Sequence, residues 1–118
     1  MYEYLNIKDG ETAEVKILWK RAKHYFRHWL GRRAVNCEEA GCQYCLRGNI
    51  ARVKHILHVE RDGREIVWIF SPSMLRTIKY LADDRDNLEG LVYSITRKNR
   101  GNRTEYHVVR IFYIGSEV

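Results

Sequence analysis

Apolar and polar residues alternate along much of the chain, which is typical of strands that bury one face. In the first such segment Ala13, Val15, Ile17 and Trp19 occupy every second position. The alternation becomes irregular from 20 to 30, so this part is predicted as a second strand or as a continuation of the first strand past a bend. Further strands are predicted at 50–60, 64–70, 91–98 and 103–114.

Turn and cap signals separate these segments. Asp62-Gly63 predicts a hairpin between the 50–60 and 64–70 strands, and residues 99–102 predict another turn. Ser71-Pro72 is a helix start, and apolar residues recur at helical spacing from 74 to 82. The predicted fold is mainly β: a five-stranded OB-fold Greek-key barrel with one short helix between strands 3 and 4 and a metal-binding loop after the first strands. An antiparallel α+β sheet is the alternative.

Composition sets the broad class. A chain of 118 residues is long enough for one domain with its own core, so residues 1–118 are predicted as a single OB-fold domain with a zinc-binding loop, 31–48, inserted. The net charge of +6 is compatible with a polyanionic partner. The sequence shows neither a long apolar run nor a signal-peptide pattern, which predicts a cytoplasmic protein without membrane contact. Gln43 is the one glutamine, and this weakly favours a thermophilic source.

The three cysteines have metal-ligand spacing. Cys37-x4-Cys42-x2-Cys45 lies in a loop that needs something to order it, and the odd number of thiols disfavours a disulfide framework. A structural Zn²⁺ bound by three cysteines and one histidine is predicted, with His28 or His24 as the fourth ligand. A [2Fe–2S] cluster would need a further cysteine downstream, and none follows Cys45. Three unrelated thiols are the remaining alternative.

Basic and aromatic residues are interleaved before the cysteines and recur near the C-terminal hairpin. Cations neutralise phosphates and aromatic rings stack on unpaired bases, so this pattern predicts single-strand binding. The first set is Lys20, Arg21, Lys23, Tyr25, Phe26, Arg27, Trp29, Arg32 and Arg33. The second set is Arg97, Lys98, Arg100 and Arg103. Each aromatic residue has a plainer interpretation as core, and this is favoured for Trp19 and Trp68, which are in phase with apolar neighbours.

With these features together, the chain resembles the phage-type single-stranded DNA-binding proteins related to the T4 helix-destabilising protein. The resemblance depends on five segments: KDGETAEVKILW, YFRHWL, CEEAGCQYC, VKHILHVERDGREIVWIFSPSMLRTI and LVYSITRKNRGNRTEYHVVRIF. It implies an OB-fold core with a zinc subdomain, and it implies His28 as the fourth ligand. It also implies a viral protein of DNA replication, which would then act in the host cytoplasm.

The predicted function is non-enzymatic binding of single-stranded DNA with little sequence preference, since no catalytic set or phosphate loop is recognisable. Two alternatives belong to other classes: an RNA-binding zinc or OB module, and a protein-interaction module with an acidic partner. A small iron–sulfur carrier is a further alternative. The sequence leaves the oligomeric state open, with a homodimer among the options.

Overall fold

A computed structural model describes residues 3–112 of the chain, which form eight strands and two helices. The strands are β1 (Glu3–Tyr4), β2 (Thr12–Ile17), β3 (Lys23–Trp29), β4 (Ala34–Asn36), β5 (Arg52–Arg61), β6 (Arg64–Phe70), β7 (Val92–Arg100) and β8 (Arg103–Ile111). The helices are α1 (Gln43–Leu46) and α2 (Pro72–Tyr80). The predicted part of the last strand at 113–114 lies outside the described residues.

All strands join one curled sheet with the shape of a half-barrel, which confirms the mainly β class. The strand order is β1-β6-β5-β2-β7-β8, and β3 pairs with β5 and β4. The β1–β6 pair is parallel and the other pairs are antiparallel. Within residues 3–112 no ladder joins β6 to β8, so the pairings do not close the sheet into a barrel.

The strand count differs from the predicted five because short strands carry weak periodic signals. β1 has two residues and β4 three, too few for alternation to be visible in the sequence. β2 and β3 lie one after the other along β5, with Ile17 opposite Val59 and Lys23 opposite Ile56. The five residues between them face only two on β5, so the chain must bend there. This bend explains why the alternation becomes irregular after Trp19.

The β5–β6 hairpin turns on Asp62 and Gly63, as predicted. Both residues have positive φ angles, 53° and 78°, which a two-residue type I′ turn requires and which asparagine, aspartate and glycine adopt most readily. The second hairpin is tighter than predicted, because the β7–β8 ladder extends to Arg100 and Arg103 and leaves only Gly101 and Asn102 in the turn.

Helix α2 covers one end of the core. Ser71 Oγ accepts a hydrogen bond from the Met74 N–H at 3.3 Å, and Pro72 occupies the first turn, as the sequence predicted. The helix ends at Tyr80, earlier than the predicted end near Asp83. Ile78 is fully buried, and the Tyr93 hydroxyl donates to its carbonyl at 2.8 Å. Neither described helix has the length and apolar character needed to span a membrane.

The hydrophobic core lies between the concave side of the sheet and α2. Its members come from β2, β5, β6, β7, α2 and two loops: Ile7, Ala13, Val15, Ile17, Leu57, Val59, Ile66, Trp68, Phe70, Ile78, Leu88, Tyr93 and Ile95. Trp68 belongs to this core and Trp19 packs against it, in agreement with the sequence analysis. None of these residues lies between 23 and 51, so β3, β4 and α1 depend on other interactions.

Candidate metal centre and basic surface

Four potential ligands meet where the end of β3 approaches the cysteine loop. The ligand atoms of His28, Cys37, Cys42 and Cys45 all lie within 4.8 Å of one another, and the four residues could hold a metal ion. His28 and Cys42 are buried, Cys37 is half-buried and Cys45 is exposed. The predicted cysteine cluster with one histidine is therefore present in the fold.

The distances inside this cluster fit a tetrahedral ion. His28 Nε2 lies 3.5 Å from Cys42 Sγ and 3.4 Å from Cys45 Sγ, and Cys37 Sγ lies 3.6 Å from Cys45 Sγ. Ligands around Zn²⁺ at normal bond lengths would be separated by about 3.6 Å for sulfur to nitrogen and about 3.8 Å for sulfur to sulfur. These three distances are close to the tetrahedral values, and every pair of ligand atoms in the cluster lies within 4.8 Å.

The local backbone conformation places the sulfur atoms of the three cysteines in the cluster. The Cys37 N–H donates to the Phe26 carbonyl at 2.8 Å, which anchors the loop to β3. Gly41 has a φ of 74°, a conformation that glycine adopts without strain and that turns the chain into Cys42. Helix α1 then starts directly after Cys42 and carries Cys45 three residues later, one helical turn on. Because only two residues separate Cys42 from Cys45, this helical turn places the two cysteines close to each other.

Asn49 orients the histidine. His28 Nδ1 lies 2.9 Å from Asn49 Oδ1, an oxygen that can only accept, so Nδ1 carries the proton and Nε2 presents its lone pair to the sulfur atoms. Asn49 Nδ2 donates in turn to the Trp29 carbonyl at 3.1 Å. This is the arrangement in which a neighbouring group fixes the tautomer of a metal-binding histidine. Asn49 was not predicted as part of the site, since a single asparagine in a loop carries no distinguishing pattern.

The thiols do not titrate alike. Burial raises the pKa of Cys42, but hydrogen bonds from the backbone of Cys45, Glu38 and Tyr44 favour the thiolate more strongly and lower its pKa to about 6. The hydrogen bond with Cys37, with burial, raises the pKa of Cys45 to about 11. The hydrogen bond with Asn49 is the main cause of a raised pKa at His28. A divalent cation would offset the repulsion between several thiolates in this space.

His24, the rival fourth ligand, lies elsewhere. Its ring packs edge-on against Phe26 at 6.1 Å and against His55 at 6.3 Å. It shares a face of β3 with His28, as the even spacing requires, but it lies four residues before His28 and so away from the end of the strand that meets the loop. Position along the strand, and not its face, separates the two histidines.

The predicted binding residues around β3 divide between its two faces. Tyr25 and Arg27 pair with Lys54 and Arg52 of β5, and partners in a ladder share a face, so all four lie on the side away from the core. Lys23 and the 58% exposed Trp29 follow on the same side of β3. We call this set, Lys23, Tyr25, Arg27, Trp29, Arg52 and Lys54, the outer basic face. Phe26 is 43% exposed on the opposite face.

Arg52 and Lys54 were not among the predicted contacts, although the sequence contains the relevant signal. They alternate with Val53 and His55 along β5, so their side chains had to share one face. What the sequence does not show is that this face continues onto β3. The remaining members of the first predicted set, Lys20, Arg21, Arg32 and Arg33, are exposed in the segments before and after β3.

The second predicted set is distant from the first. Thr12, at the start of β2, pairs with Thr96, next to the hairpin that carries Arg97, Lys98, Arg100 and Arg103. The first set follows the other end of β2, about 20 Å along a six-residue strand. Arg97 donates to the Ile7 carbonyl at 2.9 Å, and Arg100 forms an ion pair with Glu105 at 3.1 Å. The pairings therefore do not bring the two clusters side by side.

Comparisons with family models, with curated proteins and with solved structures found no match. The resemblance based on the sequence motifs therefore stays a prediction.

Proposed function

We propose that this protein binds single-stranded DNA with little sequence preference and that a structural Zn²⁺ orders the segment next to the binding surface. The observation that carries the proposal is the outer basic face, where cations of two neighbouring strands are placed opposite one another. Arg27 lies directly across from Arg52, and Lys54 is the next residue of β5 on that face.

Like charges directly opposite each other destabilise a sheet. We therefore expect a negatively charged group to neutralise these cations. Across residues 3–112, none of the cations of the outer basic face forms an ion pair with a carboxylate. Burial lowers the pKa of Lys54, and the neighbouring Arg27 and Arg52 lower it further. A phosphate backbone would neutralise all three cations, which is the sequence-independent part of nucleic-acid affinity.

Aromatic side chains supply the second part of the interaction. Trp29 and Tyr25 lie on the same face as these cations, and Trp29 is the more exposed of the two. An exposed indole next to a row of cations can stack on an unpaired base while the phosphates contact the cations. Stacking tolerates every base, so this surface would bind single strands without reading their sequence.

The element order supports an OB-fold as the scaffold. β2 and β3 together behave as one strongly bent strand along β5, β5 and β6 form a hairpin, α2 follows, and β7 and β8 form the last hairpin. Five strands in this order, with the helix after the third, are the OB arrangement. We propose that the half-barrel is an open form of that fold.

The choice of zinc follows from the ligand set. Three sulfur atoms and one imidazole nitrogen within 4.8 Å of one another suit Zn²⁺, and four protein ligands leave no place for a reactive water. The ion would hold Cys37, Cys42 and Cys45 against His28 at the end of β3. In this way it would stiffen the strand that carries Trp29 and Arg27.

The test is a fluorescence titration with oligonucleotides of one length: single-stranded DNA, RNA and duplex DNA, each at two salt concentrations. We expect the single-stranded DNA to bind tightest, with affinity falling steeply as salt rises. A clear preference for RNA would replace the DNA proposal by the RNA-binding alternative. Absence of binding to every nucleic acid would favour an acidic protein partner.

Two variants locate the surface. Arg52→Gln should weaken binding and reduce the salt slope by about 0.7, the value for one lost phosphate contact on a single strand. Arg64→Gln is the matched control, because Arg64 is exposed on β6 and paired with Glu3 at 3.3 Å, away from the outer basic face. Trp29→Ala should cost about 1–3 kcal/mol of binding free energy if the indole stacks on a base. Equal effects of Arg52→Gln and Arg64→Gln would refute the proposed location.

A further inference from the structure

The face of β3 and β5 opposite the outer basic face carries a second concentration of positive charge. A groove of about 320 Å³ separates these strands from α2 and the segment that follows it. Its basic residues come from four parts of the chain: Arg21, His24, His55, Lys79 and Arg85. We call the groove that these five residues line the histidine groove. Ala22, Leu75 and Leu88 line it with apolar surface.

Few negative charges oppose these residues. Asp86 is the one carboxylate that lines the groove, and Arg21 Nε contacts its backbone carbonyl, at 3.4 Å, instead of its side chain. The neighbouring Asp84 accepts the Asp86 N–H at 2.9 Å, within the loop itself. In the described part of the chain Arg21, Lys79 and Arg85 form no ion pair, so the groove keeps a surplus of positive charge.

The two histidines face each other inside this surplus. His24 and His55 are paired across β3 and β5, with ring centroids 6.3 Å apart. His55 also stacks on Phe70 at 6.1 Å, which holds its ring against the sheet. Burial lowers the pKa of His55, and His24 and Lys79 lower it further. His55 is thus held in its neutral form by its surroundings, and an anion that entered the groove would favour its charged form.

We propose that the histidine groove binds a phosphate group of the single strand, as a second phosphate site on the other side of the β3 edge from the outer basic face. The inference builds on the proposed function and adds a path for the strand. Between 23 and 25, β3 pairs with β5 alone, since β4 reaches only residues 27–29 and the Cys37 N–H bonds to the Phe26 carbonyl. This edge is therefore open to a strand that passes from one face to the other, across the exposed ring of Phe26.

Binding at this site takes up protons. A phosphate favours the charged form of His24 and His55, so the affinity for single strands increases as the pH falls through the histidine range. The other charged groups that line the groove are Arg21, Lys79, Arg85 and Asp86, and the two imidazoles are the groups to which the pH dependence is assigned. One pKa unit of upward shift in one histidine corresponds to about a tenfold gain in affinity.

The experiment follows the imidazole resonances of the full-length, metal-loaded protein by NMR during pH titrations, without ligand, with inorganic phosphate and with oligo(dT). We expect the midpoints of His24 and His55 to rise with either ligand, while that of His107, exposed on β8, stays in place. In parallel, oligo(dT) affinity is measured at about pH 6 and about pH 8. The double variant H24Q/H55Q should lose the gain on the acid side, whereas H107Q should keep it.

Lys79→Met gives an independent test, because Lys79 is half-buried in the last turn of α2 and methionine keeps much of its apolar side chain. It should lower oligo(dT) affinity at both pH values. Unchanged affinity in Lys79→Met, together with an acid-side gain that persists in H24Q/H55Q, would overturn the inference and leave the proposed function intact. Histidine shifts with inorganic phosphate but no binding of oligo(dT) would support the groove as a phosphate site and refute single-strand binding.

Discussion

Two regions of this chain reach their order by different means. The body of the sheet, with β2, β5, β6, β7 and α2, has a core in which Val15, Leu57 and Ile78 are fully buried. The segment from 30 to 51, which we call the metal lobe, has no such core. Its apolar residues Leu46 and Ile50 are 80% and 75% exposed, and α1 buries no residue.

The difference shows what the cysteines contribute. A segment of this length gains too little from apolar burial to offset its conformational entropy. Cys42 is the buried residue of the metal lobe, and its sulfur atom points to the cluster with His28. Coordination would supply the free energy that hydrophobic contacts supply in the body. The two regions should therefore respond to different perturbations.

Removal of the proposed metal ion should produce the largest effect and should act on only one of the two regions. Cys42→Ser, or chelation of the native protein, is expected to unfold the metal lobe, since structural zinc sites contribute on the order of 10 kcal/mol to folding. Hydrogen exchange measures this: the Leu46 N–H, which donates to the Cys42 carbonyl, should lose protection, and the β2–β7 ladder should keep it. A protected lobe in a metal-free sample would contradict the comparison.

A pair of leucine substitutions tests the same division from the other side. Leu57→Ala should lower the free energy of unfolding by about 2–5 kcal/mol, because it leaves a cavity in the core. Leu46→Ala, in the metal lobe, should change it by less than about 0.5 kcal/mol. Urea unfolding of the metal-loaded protein measures both values. Similar losses at the two positions would show that the metal lobe has a hydrophobic core after all.

Asn49→Ala should weaken the metal site without removing a ligand. The histidine loses the acceptor at Nδ1 that fixes its tautomer, and such changes typically reduce metal affinity about 10- to 100-fold. Competition with a chromophoric chelator measures the affinity. Asn36→Ala is the control, since Asn36 is exposed in the same lobe. Equal affinities for both variants would mean that Asn49 does not orient His28.

Lowering the pH should have a small effect on the stability of the body of the sheet, separate from the effect of metal removal. The hydrogen bond from Arg110, at 2.8 Å, lowers the pKa of Asp83 below its usual value. A lowered pKa means that this carboxylate stabilises the folded state above the usual aspartate range and that the contribution disappears as the pH falls through the lowered value. Asp83→Asn should therefore cost stability at about pH 7 and little at about pH 2. Because the Asp83 side chain is 75% exposed, the difference should be small.

Much of the fold could be predicted because short patterns in the sequence determine many of its strands, turns and helix ends. The alternation in β2, the Asp62-Gly63 turn, the Ser71-Pro72 helix start and the 64–70 strand all depend on residues close in sequence. The metal cluster was predictable for a related reason, since three sulfur ligands in nine positions have few other uses. The short strands β1 and β4 and the placement of Arg52 and Lys54 beside β3 depend on pairings between distant segments.

By itself, the sequence determined the mainly β class, the positions of both hairpins, the cap of α2 and the cysteines of the cluster, because each follows from spacing within one segment. Only the tertiary structure decided between His24 and His28, since both share a face and only the second reaches the loop. It also separated the two basic clusters by the length of β2, and it joined Arg27 to Arg52 across a ladder. Charge repulsion between those two residues becomes visible only when the strands pair.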